Sequence, residues 1–205
     1  MKGLLRKDLY MIWRYGRLLL LISALFLVLG AISGGNTFFI LYPVLFGGVL
    51  PVNLISYEER DGWNALCDTM PVSRKTVVNE RYLMTLLCFL ALYLITLGIH
   101  APLLLPKGRA EVLGRLACLL PGVGLAAPAL MIPVTLKWGM EKGRLVYLAI
   151  IGIATAVMSQ IDGTWITQQR AEIAGPGMWT ILPIAAALFV LSWRISLRVY
   201  ESREL

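Results

Sequence analysis

The sequence predicts an all-α polytopic membrane protein with six transmembrane helices, organised as a single domain over residues 1–205. Three observations carry that prediction. Hydrophobic residues make up 58 % of the chain and charged residues only 15 %, with a mean hydropathy of +0.74. Soluble domains hold about 45–50 % apolar and about 25 % charged residues. Second, six mostly apolar runs of roughly 16–25 residues recur, the length that a hydrocarbon core of about 30 Å calls for. Third, basic residues concentrate on one side of these runs.

The runs are Leu18–Ser33, Phe38–Ser56, Tyr82–Leu105, Val112–Leu136, Leu145–Ile161 and Met178–Trp193. Of the 19 Lys and Arg residues, Lys107, Arg109, Arg115 and Arg170 fall on one side and the other 15 on the opposite side. Cytoplasmic loops carry the excess of Lys and Arg, so both termini and residues 57–81 are expected inside. This explains the net charge of +7 without nucleic acid. Trp13, Trp138, Trp165, Trp179 and Trp193 stand near run ends, where an amphipathic indole is favoured. Only Trp63 stands away from a run edge.

The lead "MKGLLRKDLYMIWRYGRLLLL" has the basic start and apolar continuation of a signal peptide, yet its lead is long, no small-residue cleavage pattern follows and further runs come after. It reads as a retained segment. Between runs two and three, Gly62–Met70 places Trp63, Leu66, Cys67 and Met70 at i, i+3, i+4 and i+7, one apolar face of a helix. Asn64, Ala65, Asp68 and Thr69 turn mostly away. Pro71 stops this helix, and Ser73 can cap a new one starting at Arg74. Glu58, Glu59 and Asp61 just before it disfavour a purely lipid-adsorbed helix, because the inner leaflet is negative. In the fourth run, Pro121, Pro128 and Pro133 with Gly122 and Gly124 argue against an unbroken straight helix. A kinked helix lining a pathway and a kinked packing helix both fit.

Several chemistries lack their residues. There is no G-x-x-x-x-G-K-[ST] phosphate loop. Cys67, Cys88 and Cys118 have no disulfide or metal spacing. His100, the single histidine, reads as a satisfied polar residue of the bundle rather than a ligand or proton relay. "SGGN" at Ser33–Asn36 lacks a partner base for nucleophilic catalysis, and Arg115 can snorkel to a run end. Catalysis by this chain is not expected.

The start "KGLLRKDLYMIWR", the two runs, the block "YEERDGWNALCDTMPVSRKTVVNERYL" and the tail "RVYESREL" resemble, in order and over nearly the whole chain, the membrane subunit of small bacterial type-2 ABC exporter permeases. The most specific part is Tyr57 to Leu83, above all Met-Pro-Val-Ser-Arg at Met70–Arg74. The resemblance implies an N-terminal amphipathic elbow helix along the inner membrane surface and a cytoplasmic coupling helix between spans 2 and 3, seated in a cleft of an ATPase. Trp63, Leu66, Cys67, Met70, Pro71, Ser73 and Arg74 would form that interface. Short re-entrant helices would fall on Asp162–Gly177. It further implies two copies of a separate ABC ATPase that binds ATP and Mg, no cofactor on this chain, and a second permease copy or a sister permease. The location would be the cell inner or plasma membrane. The chain departs from larger relatives in having almost no extracellular domain, which leaves the substrate unnamed. The alternative function is a non-transporting membrane protein, an immunity or sensor subunit.

Overall fold

The computed structural model describes residues 2–33, 37–63, 67, 69, 73–107, 110–160 and 180–201. Among them the chain forms seven α-helices and no strand: α1 (Lys2–Tyr15), α2 (Arg17–Ile32), α3 (Thr37–Arg60), α4 (Arg74–Leu104), α5 (Ala110–Trp138), α6 (Met140–Gln160) and α7 (Ile181–Glu201). These match the six expected runs to within a few residues at most ends, except that α4 and α7 each extend about two turns beyond the expected run on one side.

Four helices are long and apolar enough to cross a membrane: α3, α4, α5 and α7. A fifth span is added if α1 and α2 count as one, for they pass only as a pair bent by 70°. The reason is length: the 16 residues of α2 reach about 24 Å, short of a core of about 30 Å. Among the described residues, four or five candidate spans therefore meet this condition, and the six expected are not confirmed. The remaining expected span falls on α6, a helix of 21 residues that exposes Leu145, Leu148 and Ile153.

The bend between α1 and α2 lies at Gly16, where an added Cβ would stand 2.6 Å from the carbonyl oxygen of Ile12. Beyond it, α2 leans on α3 through Phe26, whose ring stacks on Tyr42 at 5.2 Å. In α3 the span is 72 % buried, against 17 % in α7, so α3 is the central post and α7 a peripheral one. Helix α5 packs against α3, α4, α6 and α7.

Although Pro121, Pro128 and Pro133 all lie inside it, α5 runs as one helix from Ala110 to Trp138. Each proline lacks an N–H and so frees the carbonyl four residues earlier. Those carbonyls are Ala117, Gly124 and Ala129. Tyr93 of α4 donates its hydroxyl to Ala117 O at 3.0 Å. Ser192 of α7 donates to Ala129 O at 2.5 Å. Gly124 O is met by Gly48 of α3, so closely that an added Cβ on Gly48 would stand 2.4 Å away. No side chain fits there, so the two backbones approach directly. Two of the freed carbonyls thus gain a hydroxyl donor from a neighbouring helix, as a membrane interior favours when a helix carries proline.

The Ser192 contact heads a short chain. Since its proton goes to Ala129, Ser192 accepts from the Tyr82 hydroxyl at 2.6 Å, and Tyr82 in turn accepts from Ser196 at 2.8 Å. One turn away, Trp193 Nε1 donates to Asn79 Oδ1 at 2.8 Å. These bonds fix α7 to α4 and α5 despite its thin burial.

Ser192→Ala is expected to destabilise the fold by about 0.6–2 kcal/mol, the range of hydrogen bonds between membrane helices. Adding Pro133→Ala, which restores an N–H for Ala129 O, should recover part of the loss. Unfolding of the detergent-solubilised chain measures both. Additive losses in the double variant would refute the pairing.

Candidate functional site

The last turn of α3 reads Tyr57-Glu-Glu-Arg60, and its two carboxylates diverge. Glu58 is 2 % exposed and lies between α1 and α4. There it accepts from Lys7 Nζ through Oε1 and from Arg81 Nη2 through Oε2. Lys7 also lies 3.0 Å from Asp8 Oδ1, and Arg81 Nη1 lies 4.0 Å from Asp8 Oδ2. Glu80 completes the cluster, buried as deeply as Asp8. Five ionisable side chains from three helices therefore meet in one place.

The electrostatics of the cluster depend on Glu80. Helix α4 has 31 residues, about 46 Å of helix, more than a hydrocarbon core of about 30 Å takes up, and Glu80 lies in its first two turns, before the apolar run expected from Tyr82. Burial pushes the Glu80 carboxyl up to about 9, helped by a hydrogen bond to Asp8 and the charge of Asp8, and opposed by Lys7. Near neutral pH Glu80 keeps its proton. Two cations, Lys7 and Arg81, then face two anions, Asp8 and Glu58. A buried charge group persists only when it is paired in this way.

Glu59 turns the other way. Its Oε2 accepts from the backbone N–H of Met140 at 3.1 Å, capping the N-terminus of α6. The chain reaches that position through Gly139, which ends α5 with φ +82, a conformation that favours glycine. A carboxylate suits the positive end of a helix. Adjacent residues of α3 thus hold α1 and α4 on one side and α6 on the other.

The segment after α3 is rooted in the same cluster. Lys7 Nζ sits 4.1 Å from the centroid of the Trp63 ring. Trp63 packs against the main core, and Cys67 is buried in it. Thr69 is exposed. Of the four apolar residues expected on one face, Trp63 and Cys67 are described, and both pack on this chain's own core. Ser73 caps α4: its Oγ accepts from Thr76 N at 3.3 Å, with Thr76 Oγ1 at 2.7 Å. Arg74 opens the helix, half-buried. Leu66, Met70 and Pro71 lie outside the described residues, as do Asp162–Gly177, Gly34–Asn36 and the side chain of Arg115.

His100 lies in α4, 1 % exposed, with Nδ1 2.8 Å from Thr96 O. Its Nε2 faces Gly30 of α2, where an added Cβ would stand 2.8 Å away. No cluster of His, Cys, Asp or Glu able to hold a metal occurs among the described residues.

Sequence reasoning used Lys7 and Arg81 only to orient the chain, and did not single out Asp8 or Glu80. A signal was present. Arg81 falls in the stripe Val77, Val78, Arg81, Tyr82 and Thr85 at helical spacing, and a charge inside an apolar stripe needs a buried partner.

These features define a multi-pass helical membrane protein whose long helices are knotted by charge at one end. The sequence model for ABC-2 family transporter proteins matches residues 3–201, and the chain belongs to that family. No curated protein matches the chain. No solved structure matches it.

Glu58→Ala should cost about 3–5 kcal/mol, because it leaves Lys7 and Arg81 to share Asp8 as their one buried anion. Arg81→Met in the same chain should return part of that loss, measured by unfolding in detergent. Glu80 gives a pH signature. Its carboxyl is raised in the folded state, so its contribution is full below about 4.5 and is lost as pH rises toward about 9. Stability should fall across that interval, and Glu80→Gln should flatten the fall. An identical pH profile in the variant would contradict the assignment.

Proposed function

We propose that the chain is the membrane-spanning permease subunit of an ABC exporter, moving a peptide or amphipathic compound out of the cell with ATP hydrolysed by a separate ATPase. Membership of the ABC-2 transporter family over residues 3–201 is the observation that carries the reading. The missing phosphate loop supports a partner chain as the source of energy. Two ATPase copies and a second permease copy or sister permease complete the assembly, in the cell inner membrane with six spans and both termini cytoplasmic.

In this reading α1 is the elbow helix and residues 57–81 are the coupling segment. The interface set is Trp63, Leu66, Cys67, Met70, Pro71, Ser73 and Arg74. Closure of the ATPase dimer on ATP would push this segment, and the contact of Lys7 with Trp63 supports a route for the push into α1, α3 and α4. Trp63 and Cys67 act as the root of the segment, and exposed Thr69 and Ser73 lie on the side open to a partner.

The purified chain alone should hydrolyse no ATP, and turnover should appear only with the partner ATPase. Trp63→Ala, which removes the root of the segment, should weaken capture of that ATPase or uncouple hydrolysis from transport, while membrane insertion is kept. Unchanged capture together with unchanged transport would remove Trp63 from the coupling route. With the native cysteines replaced, single cysteines at Asn36, Lys107 and Gln168 should react with an impermeant thiol reagent in intact cells, and one at Asn64 should not. Labelling at Asn64 from outside would reverse the orientation.

A further inference from the structure

The 70° bend at Gly16 leaves a groove of about 540 Å³ between α1 and the start of α2. Arg6, Leu9, Tyr10, Ile12, Trp13 and Leu20 line it. Four of these, Arg6, Leu9, Tyr10 and Trp13, lie at i, i+3, i+4 and i+7 on α1 and form its exposed stripe. The opposite side of α1 carries Asp8 into the charged cluster. Ile12 and Leu20 pack on Leu50, Leu54 and Met84 and form the floor of the groove, and the exposed stripe forms its open wall.

Its walls are apolar apart from one cation. Leu9 is 62 %, Tyr10 63 % and Trp13 68 % exposed, too much apolar surface to leave to water on a helix that also carries charge. Such a helix, with Arg beside Trp and Leu, belongs in the boundary between headgroups and acyl chains. Its size falls within the roughly 300–1,000 Å³ of small-ligand sites. At one end stands Arg6, exposed and with no carboxylate at ion-pair distance among the described residues. At the corner, Arg17 Nε donates to Trp13 O at 2.8 Å, which holds a second guanidinium near the groove.

We propose that this groove holds one anionic phospholipid of the leaflet on which α1 lies. The acyl chain would run along Leu9, Ile12, Trp13 and Leu20, and the phosphate would meet Arg6. The charge chooses the occupant: an apolar trough ending in an unpaired guanidinium complements a chain ending in a phosphate, which guanidinium binds in a fork. A zwitterionic lipid would bring a competing cation to the same corner.

The test is native mass spectrometry of the full chain taken from vesicles of equal phosphatidylglycerol and phosphatidylcholine. One phosphatidylglycerol should be retained in preference to phosphatidylcholine. Arg6→Gln and Leu9→Trp, which remove the cation and fill the trough, should each reduce retention at least severalfold, and Arg198→Gln in α7 should not. Because Arg6 and Leu9 are exposed, both variants should keep the wild-type unfolding midpoint. A phosphatidylglycerol with a photoreactive acyl chain gives a readout on the unaltered protein, and its adducts should map to Leu9, Trp13 and Leu20. Equal retention of the two lipids, undiminished retention in Arg6→Gln, or adducts spread evenly over α4 and α7 would overturn the proposal. So would displacement by glycerol phosphate alone, which would mark a phosphate site without a chain. A dimer that forms by expelling the lipid would assign the groove to a second copy.

Discussion

Hydrocarbon offers no hydrogen bonds, and the bundle is arranged around that constraint at α5. Three prolines in one span release three carbonyls, each costly if left bare. Tyr93 of α4 and Ser192 of α7 donate to two of them, and Gly48 of α3 packs directly on the third. The contacts set more than local comfort. Gly48 must be small, so α3 and α5 lie backbone to backbone. Tyr93 must reach, so α4 lies a side chain away. Ser192 must face inward, which turns the rest of α7 outward with Leu188, Leu191 and Ile195 exposed. The prolines thus fix which face each neighbour presents.

At one end of the bundle a different economy holds. The joint of Lys7, Asp8, Glu58, Glu80 and Arg81 gathers charge that an apolar seam would have made unnecessary, and replacement of such groups by apolar residues is often neutral or stabilising. What charge supplies is geometry: Glu58 admits only partners placed on both of its oxygens, one from α1 and one from α4. With Glu59 capping α6, the final turn of α3 sets the relative placement of three other helices.

Much of this was legible in the sequence. The helices follow from hydrophobic runs alone, and Ser73 as a cap followed from Pro71 two residues earlier, because both signals are local. The apolar stripe of Trp63 and Cys67 was also readable, but not what it packs against, since periodicity defines a face without naming its partner. The continuity of α5 was not readable: proline breaks a helix unless hydroxyls and glycines distant in sequence serve it, and Tyr93 and Ser192 lie 24 and 63 residues from their acceptors. The joint was hidden for the same reason. Glu58 and Arg81 are 23 residues apart, and Lys7 is 51 from Glu58.

The three carbonyls of α5 differ in when they are met. Synthesis proceeds from the amino end, so Gly48 and Tyr93 are already in place as α5 emerges. Ser192 is not. Until α7 arrives, Ala129 presents a bare acceptor to the interior of the bilayer, and Tyr82 lacks both of its serines. The least buried span is therefore also the one that closes the bundle. A nascent chain halted before it would hold an unfinished polar seam, a mark by which quality control could tell an incomplete molecule from a finished one.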